Sequence, residues 1–276
     1  MGSFRPFELL WKRSVASSAS LLSFAVADGL PLGGMGRTAP TGVKVRLPSS
    51  DIEKSYSPVS HPAQAGSFEL LVKAYPPRTG GGLGAYLCGL EPGETALMKV
   101  KPAQFSDLAG KPLRPGRWEQ LGLVACGTGL APLLQVAREV LAWNDGTRVS
   151  MVLAVRSEEE ILMRAELEEM GQNPHVDLHL QLSAPSAGWP KARSGRISAE
   201  TLRYCLPPAD ARSMVLVCGT DGFVDTVAGP IQRVKLPDGQ KRKVQGPVGG
   251  FLAQLKPQVE ELLRSCGTAV FNSVSP

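Results

Sequence analysis

Long apolar runs are missing from this 276-residue chain. Nothing approaches the roughly 20 consecutive apolar residues that a membrane-spanning helix requires, so no transmembrane segment is expected. Histidine is scarce: His61, His175 and His179 are scattered and form no metal-ligand set with the cysteines. The five cysteines, Cys88, Cys126, Cys205, Cys218 and Cys266, are odd in number and far apart. With no pair at zinc-ligand or redox spacing, they point to free thiols in a reducing compartment. Charge of one sign is not in great excess, since 30 Lys and Arg against 25 Asp and Glu leave a net charge of +5. That excess lacks the concentrated stripes that phosphate backbones select, and no nucleic-acid partner is expected. What the chain does have is glycine and proline, 30 and 23 residues, within a 43% hydrophobic and 20% charged composition. This predicts a folded protein with many turns and much sheet, and the length suits two domains.

Residues 1–35 carry Arg5, Lys12, Arg13 and many serines, with only Glu8 and Asp28 as acids. That is the composition of a mitochondrial targeting peptide; the other reading is a pair of strands, Phe7 to Ser14 and Ser20 to Val26. From 42 to 102 short runs rich in Val, Leu and Tyr alternate with turn clusters: Val43 to Leu47, Ser55 to Val59, Phe68 to Tyr75 and Ala96 to Val100. Their spacing predicts an antiparallel sandwich or barrel. The Pro-, Gly- and charge-rich stretch Lys101 to Trp118 contains the expected boundary, giving domains 1–112 and 113–276.

Beyond it, strand and helix alternate. Leu121 to Cys126 reads as a strand, and Ala131 to Trp143 as a helix with Leu133, Leu134, Ala137, Val140 and Leu141 on one face. Strand Val149 to Val155, helix Glu158 to Met170, strand Val176 to Leu182, helix Ser198 to Leu206 and strand Met214 to Cys218 follow. This rhythm predicts a parallel, doubly wound sheet, whose ligands lie beyond the carboxyl ends of its strands. Two short Gly loops directly follow strands, Gly127-Thr128-Gly129 and Gly219-Thr220-Asp221-Gly222. In the first, the glycines would let backbone amides approach a pyrophosphate, and Pro132 suits the first turn of the helix that follows. The run Glu158-Glu159-Glu160 reads as a stabiliser of its own helix start.

These residues carry a family resemblance. Lys54-Ser55-Tyr56-Ser57-Pro58-Val59-Ser60 resembles the flavin motif Arg-x-Tyr-Ser/Thr, and Leu71-Val72-Lys73-Ala74-Tyr75 the next flavin strand. Gly80-Gly81-Gly82-Leu83-Gly84-Ala85-Tyr86-Leu87 resembles the Gly-rich turn and helix that hold the flavin pyrophosphate. Gly127 to Leu133 and Cys218 to Phe223 resemble two nicotinamide-side motifs. In this order the blocks resemble the ferredoxin-NADP reductase superfamily, and most closely its NADH-cytochrome b5 reductase branch. The fold so implied is an N-terminal antiparallel FAD-binding β-barrel followed by a doubly wound parallel-sheet pyridine-nucleotide domain.

The resemblance implies that Tyr56 lies against the isoalloxazine and that Ser57 bonds its hydride-accepting nitrogen. Lys54 would face the FAD phosphates, with Lys73, Tyr75, Gly82, Gly84 and Ala85 also on the flavin. Gly127, Thr128, Gly129, Pro132, Gly219 and Phe223 would hold the pyridine nucleotide, with Cys218 beside the nicotinamide. Arg156 and Ser157 follow the second strand of that domain, where a 2′-phosphate lies in NADP enzymes; the branch itself favours NADH over NADPH. Three features depart from the family pattern, one of them the segment Pro31 to Thr41, which lacks the usual strand entry. Lys54 replaces Arg and offers a point charge instead of a planar fork, and Gly84 stands where Ser is usual. The chain also runs five residues past Phe271, the counterpart of a near-terminal aromatic.

The activity implied is an FAD-dependent NAD(P)H oxidoreductase passing electrons to a haem protein or another one-electron acceptor. A second reading is a reductase-like accessory subunit of a large mitochondrial protein complex. Val227 to Leu255 is an insertion relative to ordinary cytochrome b5 reductases, with a basic hairpin at about 229–250 centred on Pro237-Asp238-Gly239. Arg233, Lys235, Lys241, Arg242 and Lys243 against Asp238 leave it +4, able to steer an acidic partner. The block resembles a mitochondrial flavoprotein subgroup, the fungal cytochrome c import factor, and so suggests a mitochondrial location.

Overall fold

A computed structural model of the chain describes residues 3–34, 41–48, 50–74, 82–101, 113–208, 212–229, 231–235, 241–245, 251–252 and 268–272. Period-two burial builds its first sheet. Strands β1 (Arg5–Ala16), β2 (Ala19–Ala25), β3 (Val43–Arg46), β4 (Glu53–Tyr56), β5 (Ser67–Lys73) and β6 (Thr95–Val100) pair antiparallel in the order β4-β3-β6-β1-β2-β5. Alternate residues point inward: Phe7 and Leu9, Val43 and Val45, Phe68, Leu70 and Val72, Ala96 and Met98 share one buried cluster. Phe68 is its hub, edge-on to Phe7 at 5.6 Å and stacked on Phe24 at 5.8 Å. A bridge between Pro58 and Leu70 joins the segment after β4 back to β5, so the sheet curls towards a barrel. The basic, serine-rich residues 5–25 are therefore strands of this sheet, as the pairing of β1 with β2 shows.

Helix α1 (Leu83–Gly89) lays Leu83 and Leu87 into the same cluster. The chain divides into two compact units. The first holds Met1–Asp107 with Leu130–Asn144 and Glu159–Arg164; the second holds Leu108–Gly129, Asp145–Glu158 and Ala165–Pro276. Helix α2 (Leu130–Trp143) therefore belongs to the first unit. It is buried nearly all round, with Leu130 to Ala137, Glu139 and Val140 all enclosed, the mark of a core helix and not of a surface one.

The second unit is built on a parallel sheet. Its strands are β7 (Gln120–Cys126), β8 (Arg148–Val155), β9 (Val176–Leu182), β10 (Ser213–Gly219) and β13 (Thr268–Asn272), in the order β13-β10-β7-β8-β9. Strand order runs outward from β7 to β8 and β9, then reverses through β10 to β13. The neighbours β7 and β10 therefore define the topological switch point, the crevice where doubly wound sheets take their ligands. Helices α3 (Arg164–Met170), α4 (Ala199–Cys205) and α5 (Asp221–Ala228) complete the connections, Ser198 capping α4 by accepting from the Thr201 amide. Strands β11 (Ile231–Lys235) and β12 (Lys241–Gln245) pair antiparallel as the expected hairpin, whose Pro237-Asp238-Gly239 tip lies outside the described residues.

Two expectations are corrected. The helix expected over Glu158 to Met170 is broken: Glu158–Glu160 form a 3-10 turn, and α3 starts only at Arg164. Ile161, Leu162 and Met163 between them are buried in succession, at 3%, 5% and 3% exposure, which no one-sided helix permits. Met163 also takes φ +54°, outside the right-handed helical region. The triple glutamate is not merely a helix start, because Glu158 and Glu160 each bind a partner, described below. Among the described residues no helix is long and apolar enough to cross a membrane.

Candidate functional site

On the flavin side, β4 presents Lys54 and Tyr56 on the face that pairs with buried Val45 and Val43. Ser57 follows as the strand ends. On the other face, Glu53 takes Lys44 at 2.7 Å and Arg46 at 2.5 Å, which holds its carboxyl below the ordinary range through the Lys44 and then the Arg46 hydrogen bonds. Two cations thereby share one carboxylate, while Lys54 has no ion pair among the described residues. The Ser57 hydroxyl makes no hydrogen bond there either. Tyr56 packs against the barrel core; burial first, and the Cys88 thiol second, push its phenol far above the usual value, so it stays neutral.

Gly84 explains itself. A Cβ there would lie 2.4 Å from the Lys73 carbonyl oxygen, so α1 crosses β5 with no room for a side chain. The family serine is excluded by this approach. Ala85 is half-buried and Gly82 exposed at the helix start, whereas Tyr75 lies outside the described residues. Lys73, at the end of β5, places its ammonium 4.0 Å from Glu160. A lysine and a hydroxyl with no partner among the described residues, and a glycine where backbone passes backbone, fit a planar cofactor bearing phosphates.

On the nucleotide side, β7 turns at Gly127, whose φ of +54° favours glycine, and Gly127–Gly129 form a 3-10 turn. A Cβ on Gly129 would fall 2.3 Å from the Cys218 carbonyl oxygen and 2.7 Å from the Gly219 nitrogen. One on Gly219 would fall 2.6 Å from the Phe223 ring. Both Gly loops thus meet backbone to backbone at the switch point, the cradle that a pyrophosphate needs. Thr220 caps α5 by accepting from the Phe223 amide. Cys218 is 1% exposed within β10, Thr128 is half-buried, and Pro132 is buried in the first turn of α2.

Arg156 is exposed and Ser157 half-buried beyond β8. The Arg156 carbonyl accepts from the Ala184 amide at 2.7 Å. Next to it the Glu158 carboxylate accepts from the Ser186 amide at 3.2 Å and from its hydroxyl at 2.5 Å. This acidic clasp between the loops after β8 and β9 has no signal in the sequence, since nothing local links residues 28 apart. The described cysteines Cys88, Cys126, Cys205 and Cys218 form no disulfide.

Comparison with known proteins agrees with this geometry. Residues 6–105 match the oxidoreductase FAD-binding domain and residues 123–229 the oxidoreductase NAD-binding domain. NADH-cytochrome b5 reductase 1 of Ajellomyces capsulatus is 30% identical over 236 residues, covering 81% of this chain and 72% of that protein. Human NADH-cytochrome b5 reductase 2 is 29% identical over 255 residues, covering 82% and 88%. Among solved structures, the cytochrome b5 reductase domain of Ulva prolifera nitrate reductase superposes with a TM-score of 0.68 at 24% identity, over 80% of this chain and 89% of that one. A Neisseria gonorrhoeae ferredoxin NADP+ reductase with bound FAD and NADP gives 0.64 at 14% identity, over 99% and 100%. With its FAD-binding and NAD-binding domains in this order, the chain belongs to the NADH-cytochrome b5 reductase family of oxidoreductases.

Proposed function

We propose that the protein takes electrons from NADH through FAD and delivers them one at a time to a haem protein. The observation that carries this reading is the pair of glycine loops meeting at the switch point, in a chain that also bears the flavin segment 54–57. FAD, when bound, supplies the chemistry: it accepts a hydride and can give up electrons singly. Lys54 neutralises phosphate charge as a point cation. Tyr56, held neutral by burial, offers an uncharged ring face, and the Ser57 hydroxyl, without a hydrogen bond among the described residues, would bond the flavin at the hydride-accepting nitrogen. Gly127, Gly129 and Gly219 would hold the nucleotide by backbone, and Cys218 would stand beside the nicotinamide.

NADH is favoured over NADPH by the Glu158 carboxylate next to Arg156 and Ser157, since a carboxylate repels a 2′-phosphate. A haem protein as acceptor is supported by relatives named for cytochrome b5. The accessory-subunit alternative finds no support among these relatives. A mitochondrial location belongs to the proposal too, supported by the inserted basic hairpin alone, since the basic, serine-rich start is built into the first sheet, and is tested by fractionating cells.

The deciding experiment is the visible spectrum of the purified protein, then anaerobic titration with NADH and separately with NADPH. Bleaching of a bound flavin by NADH at the lower concentration supports the reading. A folded protein that stays colourless with added FAD refutes it.

A further inference from the structure

Downstream of Ser57 the chain is gripped from two directions. On one side stands β5: the Val59 amide donates to the Glu69 carbonyl at 2.8 Å, and the Glu69 amide to the Ser60 hydroxyl at 3.1 Å. On the other stands α2. The Arg138 guanidinium donates to the Val59 carbonyl, so both polar groups of this wholly buried residue are taken. One residue along α2, Glu139 is 5% exposed, and its carboxylate accepts from the Trp143 indole at 3.0 Å. Its other oxygen has no hydrogen bond among the described residues but lies 3.7 Å from His61 Nε2.

The imidazole is itself oriented. The Ala63 amide donates to His61 Nδ1 at 3.1 Å, which in the neutral ring leaves the proton on Nε2, the atom facing Glu139. A half-buried cation beside a buried carboxylate on a largely apolar helix is expensive to keep. Both are aimed at the same short segment, residues 59–61, and they come from far along the chain, Arg138 standing 79 residues beyond Val59. Gln135, one turn earlier and 1% exposed, also lines the small cavity beneath this segment with Ser60 and His61. Packing alone would be served better by apolar residues at these sites.

We propose that Arg138 and Glu139 are positioning residues for the flavin segment: through Val59 and His61 they fix the backbone that carries Tyr56 and Ser57. The inference rests on the flavin reading above and adds to it the device that holds the hydride-accepting side in register. No hydrogen bond to the cofactor is assigned to either residue. Their action is on the main chain two to four residues beyond Ser57, where an error of about 1 Å in placement can slow a transfer on the order of a hundredfold.

The test uses the full-length protein loaded with FAD and three variants, Arg138→Met, Arg138→Lys and His61→Ala. Two quantities are read: the visible circular dichroism of the oxidised flavin, which reports its surroundings without turnover, and the anaerobic rate of flavin reduction at saturating NADH. Arg138→Met is expected to alter the dichroism and slow reduction about tenfold or more. Arg138→Lys should recover most of both, and His61→Ala, at the half-exposed end of the network, should shift both in the same direction by less. Wild-type dichroism and rate in Arg138→Met overturn the proposal; should that variant not fold, wild-type values in His61→Ala overturn it. A wild-type protein that holds flavin but is bleached by neither nucleotide refutes the functional reading instead, and the dichroism of Arg138→Met then decides on the clamp alone.

Discussion

Restoring the family residue at Gly84 should harm this protein. A Cβ at that position would sit 2.4 Å from the Lys73 carbonyl oxygen, and relief to ordinary contact requires a displacement of about 1 Å. Neither partner yields cheaply. Lys73 ends a ladder in which it pairs with Ala19 of β2, and α1 is pinned by Leu83 and Leu87 at 1% and 0% exposure. Forcing a group into such packing costs about 1–3 kcal/mol. For a chain of this size, where 1 kcal/mol moves the midpoint by about 2–4 °C, Gly84→Ser should lower Tm by roughly 2–12 °C and weaken FAD binding. Gly84→Ala meets the same collision without a hydroxyl and should fall equally. Thermal unfolding followed by circular dichroism gives the first quantity, and quenching of FAD fluorescence on binding gives the second. A Gly84→Ser protein that melts with the wild type and holds FAD more tightly would refute the collision and show that glycine here has simply lost a phosphate contact.

Ser57→Ala should leave Tm unchanged and slow flavin reduction by about tenfold, the worth of one hydrogen bond; an unchanged rate in rapid mixing removes Ser57 from the site. Gly129→Ala, whose Cβ would fall 2.3 Å from the Cys218 carbonyl, should destabilise the fold by about 1–3 kcal/mol and raise the KM for NADH, and steady-state kinetics with normal KM would count against the cradle. In alkali the fold should weaken: Tyr56 and Cys88 both hold their protons more tightly when folded, chiefly through burial. Their contribution is whole below the ordinary thiol value of 9.0 and is lost as pH rises through that value and then the phenol value of 10.0. Urea midpoints at pH 8 and above 10 check this, and a flat profile refutes it. In acid the sign reverses for His179, whose pKa is lowered by burial first and by Arg193 second. Its stabilising effect is present above the ordinary 6.5 and lost as pH falls below it, so His179→Gln should flatten that limb of the same profile.

Much of the frame is legible in the sequence because it is periodic. Val176 to Leu182 reads as a strand and is one, and the helix expected from Ala131 to Trp143 begins a single residue earlier. Local grammar fails where tertiary contacts rule. Three successive buried residues, Ile161 to Met163, look like helix in composition but cannot share one face, and the chain breaks there. Gly84 looks in sequence like a missing hydroxyl, whereas the close approach of β5 makes glycine a requirement. Arg138 and Glu139 look like ordinary charges on an apolar helix, because their partners Val59 and His61 lie far back in the sequence. The clasp of Glu158 on Ser186 is hidden for the same reason.

The hairpin of β11 and β12 is bracketed by two residues of one hydrophobic cluster, Ala228 and Leu252, which are 5% and 8% exposed. Among the described residues β11 and β12 pair only with each other, and neither strand belongs to the five-stranded parallel sheet. The β11–β12 ribbon is accordingly a port in this architecture, a place where a tag, a fluorescent module or another docking ribbon could be spliced between two anchored ends.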